Sequence, residues 1–144
     1  MNNQLQTYQQ IHISGLSQKE LIVLLYSGAI RFMEEAKILI EKKDVPGTHD
    51  RLNRARNIFL HLLATLNMEA GGELAQKLSG LYAYFIEKIT MANVTKNALE
   101  LDNILPLIND LKTAWETVDG DHPVASKQNA VNGKKRPQAL SVEV

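Results

Sequence analysis

The apolar residues of this chain recur at alternating steps of three and four, and this spacing constrains the fold more than any other feature. Such steps place side chains on one face of an α-helix. One stretch carries the pattern at Leu52, Ala55, Phe59, Leu62 and Leu66. Two later stretches carry it at Leu74, Leu78, Leu81, Phe85, Ile89 and Ala92, and at Leu101, Ile104, Ile108, Leu111, Trp115 and Val118. Together with an apolar stretch that begins at Leu21, these three patterns predict four helices and no strand.

Capping residues predict where the first two helices begin. Ser17, with Glu20 three residues later, has the signature of a capping box, which predicts a first helix over residues 18–43. Asp44 is a typical N-cap, and Pro46 is tolerated in a first turn because the amides there lack partners within the helix. The second helix is therefore expected to begin at this point and to end near residue 68.

Glycine and proline predict interruptions further along. Gly71-Gly72 predicts a break before a third helix over residues 73–93. Pro106 predicts a kink or a short break within a fourth helix over residues 96–118, because proline removes a backbone hydrogen bond and crowds the preceding turn. Short connections between long helices favour antiparallel neighbours.

The predicted fold is thus all-α, an antiparallel up-down four-helix bundle over residues 17–118. Residues 1–16 contain isolated apolar residues, and we expect them to form a short N-terminal cap or lid segment. Residues 119–144 have no apolar period and are rich in small polar residues, which predicts a disordered C-terminal tail.

Composition narrows the possible functions. The chain has 144 residues, 16 Lys and Arg against 16 Asp and Glu, and no Cys. A formal net charge of zero disfavours a nucleic-acid partner, and the lack of Cys excludes disulfides and thiolate metal sites. No stretch approaches the roughly 20 apolar residues of a membrane span, and no secretory signal is visible. We therefore expect a cytoplasmic protein without membrane insertion.

The sequence offers little for catalysis. Its four histidines, His12, His49, His61 and His122, are scattered, and no acidic residue completes a metal-ligand spacing with them. No glycine-rich loop follows a strand, so a phosphate cradle is not expected. We predict no enzyme activity, no catalytic residue, no cofactor and no metal. His49 and His61 leave one alternative open, a histidine phosphotransfer module or another four-helix adaptor.

Three arginines, Arg51, Arg54 and Arg56, are spread around the second predicted helix. They lack the interleaved aromatic residues that would stack on nucleic-acid bases. We expect them to lie on solvated faces and to form ion pairs.

The helices carry more apolar residues than a bundle core requires. The run Leu21-Ile22-Val23-Leu24-Leu25-Tyr26 covers every side of its helix, whereas a bundle helix needs an apolar stripe of three or four residues per two turns. An exposed apolar patch on the order of several hundred Å² marks a partner site. We therefore expect a groove that binds a helical segment of another protein, with a plain core or a homodimer face as alternatives.

Several motifs resemble a known family. Leu25-Tyr26-Ser27-Gly28-Ala29-Ile30 is similar to a Leu-Tyr-Asp-Gly-Ala-Ile stretch of the FliS flagellar export chaperones, which bind flagellin. Leu66 to Ala75 resembles the family's loop between the second and third helices. Leu81-Tyr82-Ala83-Tyr84 and Met91-Ala92-Asn93 follow in order, and Leu111 to Trp115 resembles the family's closing Leu-Arg-x-Ala-Trp. The resemblance extends from Tyr8 to Val118.

The resemblance implies a chaperone whose client is the C-terminal segment of flagellin, bound 1:1. It implies that the chaperone prevents premature filament assembly and keeps flagellin competent for flagellar type III export, with components of the export apparatus as further partners. In the family, an N-terminal segment bearing a Tyr covers part of the groove when the client is absent. Tyr8 matches that Tyr by its position before the first helix.

The partner-binding residues predicted from the apolar excess and the resemblance come from the N-terminal segment and from three helices. They are Tyr8, Ile11, Leu21, Leu24, Leu25, Tyr26, Ile30, Leu62, Leu63, Leu66, Tyr82 and Phe85. Each of them could instead pack in the core, because periodicity does not tell which side of a helix a client touches.

Overall fold

Four α-helices make up the part of the chain that the computed structural model describes, residues 16–118. They are α1 (Gln18–Glu41), α2 (Val45–Ala64), α3 (Met68–Thr95) and α4 (Leu99–Glu116). The described residues contain no strand, and the predicted all-α four-helix architecture is confirmed. The expectations for a lid at the N-terminus and a disordered tail concern residues 1–15 and 119–144, which lie outside the described residues.

The predicted caps are present at the first two helices. The Ser17 side chain accepts a hydrogen bond from the Glu20 amide (3.1 Å), and the Glu20 carboxylate accepts one from the Ser17 amide (3.0 Å). The Asp44 carboxylate accepts a hydrogen bond from the Gly47 amide (2.9 Å), with Pro46 in the first turn. Local sequence signals alone therefore fix where α1 and α2 begin.

The third helix begins earlier than predicted. The Asn67 side chain caps a turn by accepting a hydrogen bond from the Ala70 amide (3.0 Å), so α3 starts at Met68 rather than after the glycines. The chain then leaves helical geometry at Gly72, with φ 55° and ψ −130°. The predicted interruption is real, and it is a sharp bend between one capped turn and the rest of α3.

The fourth helix passes through Pro106 as one continuous element. Of the two predicted alternatives, the short break is therefore wrong, and the kink stays a prediction. Pro106 and Asp102, whose carbonyl loses its usual partner, both lie on the exposed face of α4, where water can satisfy that carbonyl.

Contacts between the helices establish the antiparallel order. Consecutive helices pack on one another and α4 packs back on α1, with the most extensive contact between α1 and α2 and the thinnest between α3 and α4. Lys37 near the end of α1 pairs with Asp102 near the start of α4 (2.7 Å), and Lys19 at the start of α1 donates to the Val118 carbonyl just beyond α4 (2.6 Å). The start of α1 and the end of α4 therefore meet at one end of the bundle.

The core is continuous through all four helices. Its largest fully buried side chains are Tyr26, Tyr82, Phe59, Phe85, Leu25, Met33, Leu52, Ile58, Ile89, Leu101, Ile104 and Ile108. Within residues 16–118, no helix has the length and apolar character needed to cross a membrane.

Candidate protein-binding surface

Half of the predicted partner-binding residues lie in the core of the bundle. Leu25, for example, is only 2% exposed, although it belongs to the apolar run that predicted a binding surface. The buried residues of this set are Leu25, Tyr26, Leu62, Leu66, Tyr82 and Phe85. In this arrangement of the helices they pack against one another and offer little surface to a partner.

The other predicted residues divide into two groups. Leu21, Leu24, Ile30 and Leu63 are partly buried, so each keeps some surface open. Leu21, Ile30 and Leu63 also pack against the buried core. Tyr8 and Ile11 lie outside the described residues.

Three of the core side chains form a hydrogen-bonded cluster that joins α1, α3 and α4. The hydroxyl groups of Tyr26 and Tyr82 lie 2.6 Å apart, and the Trp115 indole Nε1 donates to the Tyr26 hydroxyl (3.1 Å). Burial raises the pKa of Tyr26 to about 12 and raises the pKa of Tyr82 well above its ordinary value. Both tyrosines are therefore protonated at neutral pH, and the cluster is a buried structural link.

Exposed apolar residues concentrate along the flank of α3 that faces α4. Leu74 is 43% exposed, Tyr84 38% and Met91 37%, and Leu107 of α4 is 41% exposed. Leu81 lies between them and is partly buried. We call these five residues the apolar α3–α4 surface.

The register of the two helices explains why these residues share one side. Lys88 of α3 pairs with Glu100 of α4 (3.7 Å). Residues seven apart lie on nearly the same flank of a helix, so Leu81 and Leu74 continue the line of Lys88, and Leu107 continues the line of Glu100. Because the helices are antiparallel, Leu81 and Leu107 lie at the same height. The surface therefore runs along the thinnest helix–helix contact of the bundle.

One charged side chain lies between Tyr84 and Met91 along this surface. The Lys88 ammonium lies 5.5 Å from the centre of the Tyr84 ring, as well as pairing with Glu100. A cation over one face of a tyrosine ring is attracted to that face. Towards Leu74 the surface continues through Leu81, with Lys77 beside it on the line of Tyr84, and its apolar residues suit the apolar face of a peptide.

The sequence did not predict this surface: Leu74 and Leu81 belong to the apolar stripe of the third helix, and Tyr84 and Met91 belong to the family motifs. A usable signal was present, because Leu74 and Leu81 are seven apart, as are Tyr84 and Met91. Two apolar lines beside the core line of one helix indicate a stripe wider than a core needs. The pattern could not tell which neighbouring helix they face.

The two histidines within residues 16–118, His49 and His61, do not form a metal site with acidic neighbours. Both ring nitrogens of His49 lie within hydrogen-bonding distance of side-chain amides, those of Asn53 (2.9 Å) and Asn93 (3.0 Å), which links α2 to α3. Burial lowers the pKa of His61 below its ordinary value. Among residues 16–118, no group of three His, Asp or Glu side chains could hold a metal ion.

Comparisons with known proteins agree on one family. The model of the family described as "Flagellar protein FliS" matches residues 1–122. The Flagellar secretion chaperone FliS of Campylobacter jejuni is 34% identical over 118 residues, covering 82% of this chain and 92% of the relative. The protein of the same name from Salmonella typhimurium is 32% identical over 119 residues, covering 82% and 86%. The Vibrio cholerae protein of that name is 29% identical over 126 residues, covering 85% and 93%.

Proposed function

The chain belongs to the family of the flagellar protein FliS, and from this premise we propose that it is a cytoplasmic flagellar export chaperone and not an enzyme. Its proposed client is the C-terminal segment of flagellin, bound 1:1. Binding keeps that segment from polymerising and keeps flagellin competent for the flagellar type III export apparatus, whose components are further proposed partners.

The observation that carries the proposal is the apolar α3–α4 surface. Soluble proteins seldom expose several large apolar side chains in a line unless a partner covers them. A helix laid between two bundle helices would bury Leu81, Tyr84 and Leu107 together. A client that is disordered when free suits such a surface, because it can fold along the groove as it binds.

The energetics of this proposal have a recognisable signature. Ordering a disordered client costs conformational entropy, so the affinity must come from burying a large apolar area. We expect a large negative heat-capacity change on binding and only a weak dependence of the affinity on salt. Strong loss of affinity with salt would instead indicate a charged interface.

Residues outside the apolar α3–α4 surface extend the proposed site. Leu21, Leu24, Ile30 and Leu63 keep part of their surface open, and we retain them as client contacts. The six buried members of the predicted set could touch a client only if helices moved apart. In the closed bundle they form part of the buried core.

Calorimetric titration with a synthetic C-terminal flagellin segment tests the proposal. The variant is Tyr84→Asp with Leu107→Asp, which places two charges in the middle of the surface while changing no core residue. The matched control is Ile38→Asp, since Ile38 is another exposed apolar residue, 53% exposed, on α1. We expect 1:1 binding by the unmodified chain and the control, and loss of binding in the double variant.

Circular dichroism must show that the double variant stays helical, because only then does lost binding locate the site. If the unmodified chain gives no heat and no complex on gel filtration, the client is wrong. If the double variant binds as well as the control, the client is right and the surface is wrong.

We further propose that Tyr8 and Ile11 cover part of this surface when the client is absent. A competing segment lowers the apparent affinity for the client, because the client must first displace it. Tyr8→Ala with Ile11→Ala is therefore expected to raise client affinity in the same titration. An unchanged affinity would remove the lid from the proposal.

A further inference from the structure

Arg56 differs from the other two arginines of α2. Arg51 pairs with Glu35 (2.8 Å) and Asp50 (2.6 Å), and Arg54 also pairs with Asp50 (3.0 Å). Among residues 16–118, the buried Nε of Arg56 has no hydrogen-bond partner, and none of the ion pairs of these residues includes its guanidinium. The expectation of ion pairs from the sequence therefore holds for two of the three arginines only.

The register of α2 and α3 locates Arg56 in the groove between these helices. His49 of α2 lies beside Asn93 of α3, with 3.0 Å between His49 Nδ1 and Asn93 Nδ2. Two turns further along α2 is Arg56, and two turns back along the antiparallel α3 is Ile86. Arg56 and Ile86 thus lie at the same height on facing flanks.

The flank of α3 that faces Arg56 carries no acidic residue, and apolar residues lie beside Arg56 on α2. Leu60 and Leu63 follow it on the same flank of α2, and Leu60 is 39% exposed. The α3 residues on the facing flank are Ser79, Ala83, Ile86, Thr90 and Asn93, none of which is acidic. We call Arg56, Leu60, Leu63 and Ile86 the α2–α3 groove.

An unpartnered donor in such a place requires an explanation. A buried donor without an acceptor destabilises the fold, and more so when it belongs to a charged group. The same low dielectric strengthens a bond to an incoming carboxylate. Residues 1–15 of the chain contain no Asp or Glu, so the proposed lid has no side-chain carboxylate to offer.

We propose that the α2–α3 groove is a second contact region for the client, in which Arg56 binds a carboxylate of a helical client segment. This inference rests on the proposed function and adds a chemical requirement to it. The occupant has an apolar face for Leu60, Leu63 and Ile86, and an Asp or Glu at the height of Arg56. Because the groove lies on the opposite flank of α3 from the apolar α3–α4 surface, one client can contact both sides of α3.

The test is a double-mutant cycle between Arg56 and the acidic residues of the client. The synthetic C-terminal flagellin segment is titrated into the unmodified chain, Arg56→Gln and the matched control Arg51→Gln. Arg51 lies on the same helix and loses the same charge, but its partners are Glu35 and Asp50. Each Asp or Glu of the peptide is then replaced in turn by Asn or Gln.

We expect Arg56→Gln to weaken binding about 10-fold, as loss of a charged hydrogen bond does, and Arg51→Gln to change it less than about twofold. One acidic residue of the peptide should matter to the unmodified chain and no longer matter to Arg56→Gln. Arg56→Lys keeps the charge and is expected to bind with intermediate affinity. Thermal unfolding of Arg56→Gln should occur at the same temperature or higher, because a buried donor without a partner has been removed.

Three results would overturn the inference. The first is that Arg56→Gln binds the peptide with an affinity within about twofold of that of the unmodified chain. The second is that no acidic residue of the peptide is coupled to Arg56 in the double-mutant cycle. The third is that the unfolding temperature of Arg56→Gln falls enough to account for its lost affinity. The last would make Arg56 a structural residue. Failure of the unmodified chain to bind the peptide would instead refute the client, and the two failures are therefore distinct.

Discussion

The hydrogen-bonded cluster of Tyr26, Tyr82 and Trp115 leads to a prediction about additivity. Tyr26→Phe removes both hydrogen bonds of the cluster and leaves the Tyr82 hydroxyl buried, at a side chain that is 1% exposed. The expected loss in the free energy of unfolding is about 2–4 kcal/mol, because a buried polar group loses its partner in addition to the broken bonds. Tyr82→Phe removes one bond and leaves the one from Trp115 to Tyr26, so it should cost about 1 kcal/mol.

The double variant is the informative one. Once Tyr26 is Phe, replacing Tyr82 with Phe removes a buried hydroxyl that no longer has a partner in the cluster. Tyr26→Phe with Tyr82→Phe should therefore be less destabilised than Tyr26→Phe alone, at about 1–2 kcal/mol. Urea unfolding followed by far-UV circular dichroism measures each value, with Tyr84→Phe as a surface control expected to stay within about 0.5 kcal/mol. If the double variant loses the sum of the two single losses or more, the explanation from an orphaned hydroxyl is refuted.

Two further predictions concern the bend in α3 and the buried histidine. Gly72→Ala should destabilise the chain by about 1–2 kcal/mol because φ is 55° there, whereas Gly80→Ala, exposed within the same helix, should stabilise it by about 0.5–1 kcal/mol. Equal effects in urea unfolding would contradict the strain at Gly72. Burial lowers the pKa of His61 below 6.5, so the unfolded chain binds a proton at this histidine more readily than the folded chain. The free energy of unfolding therefore falls as the pH drops below about 6.5, by at most about 1.4 kcal/mol per pH unit. His61→Gln should flatten this fall between about pH 7 and pH 5 in urea midpoints, and an unchanged slope would assign the fall to other groups.

The fold could be predicted from the sequence because its determinants are local. The capping box at Ser17 and the Asp44 cap are complete within four residues, and the three-four spacing around Phe59 needs no knowledge of neighbouring helices. Of the kink or short break predicted at Pro106, the break does not occur, because the cost of proline depends on whether the affected carbonyl faces water. The start of α3 was missed because the Asn67 cap acts one turn before the glycines.

The sequence predicted that the chain has an apolar binding surface but not which residues form it. The apolar run that contains Leu25 and Tyr26 indicated an excess, but α1 packs on both α2 and α4, and a helix between two neighbours buries a wide arc. Tyr82 and Tyr84 are two residues apart and point to very different sides of α3. Which of these two side chains is exposed depends on where α4 packs against α3, and the position of α4 is set only when the whole bundle assembles. The unpaired state of Arg56 likewise depends on which residues of α3 it faces.

The contact between Lys19 and the Val118 carbonyl has a consequence for how the two ends of the chain act. Residues 16 and 118, the two ends of the described chain, both lie beside the Leu74 end of the apolar α3–α4 surface, because α4 ends where α3 begins. Fifteen extended residues span at most about 50 Å, and the part of α3 beyond the bend at Gly72 spans about 35 Å, so either terminal segment is long enough to reach any point along the helix. Any intrinsic affinity of such a segment for the surface acts at an effective concentration on the order of millimolar. A free client at micromolar concentration would then need an intrinsic affinity about a thousandfold greater than that of the tethered segment to displace it.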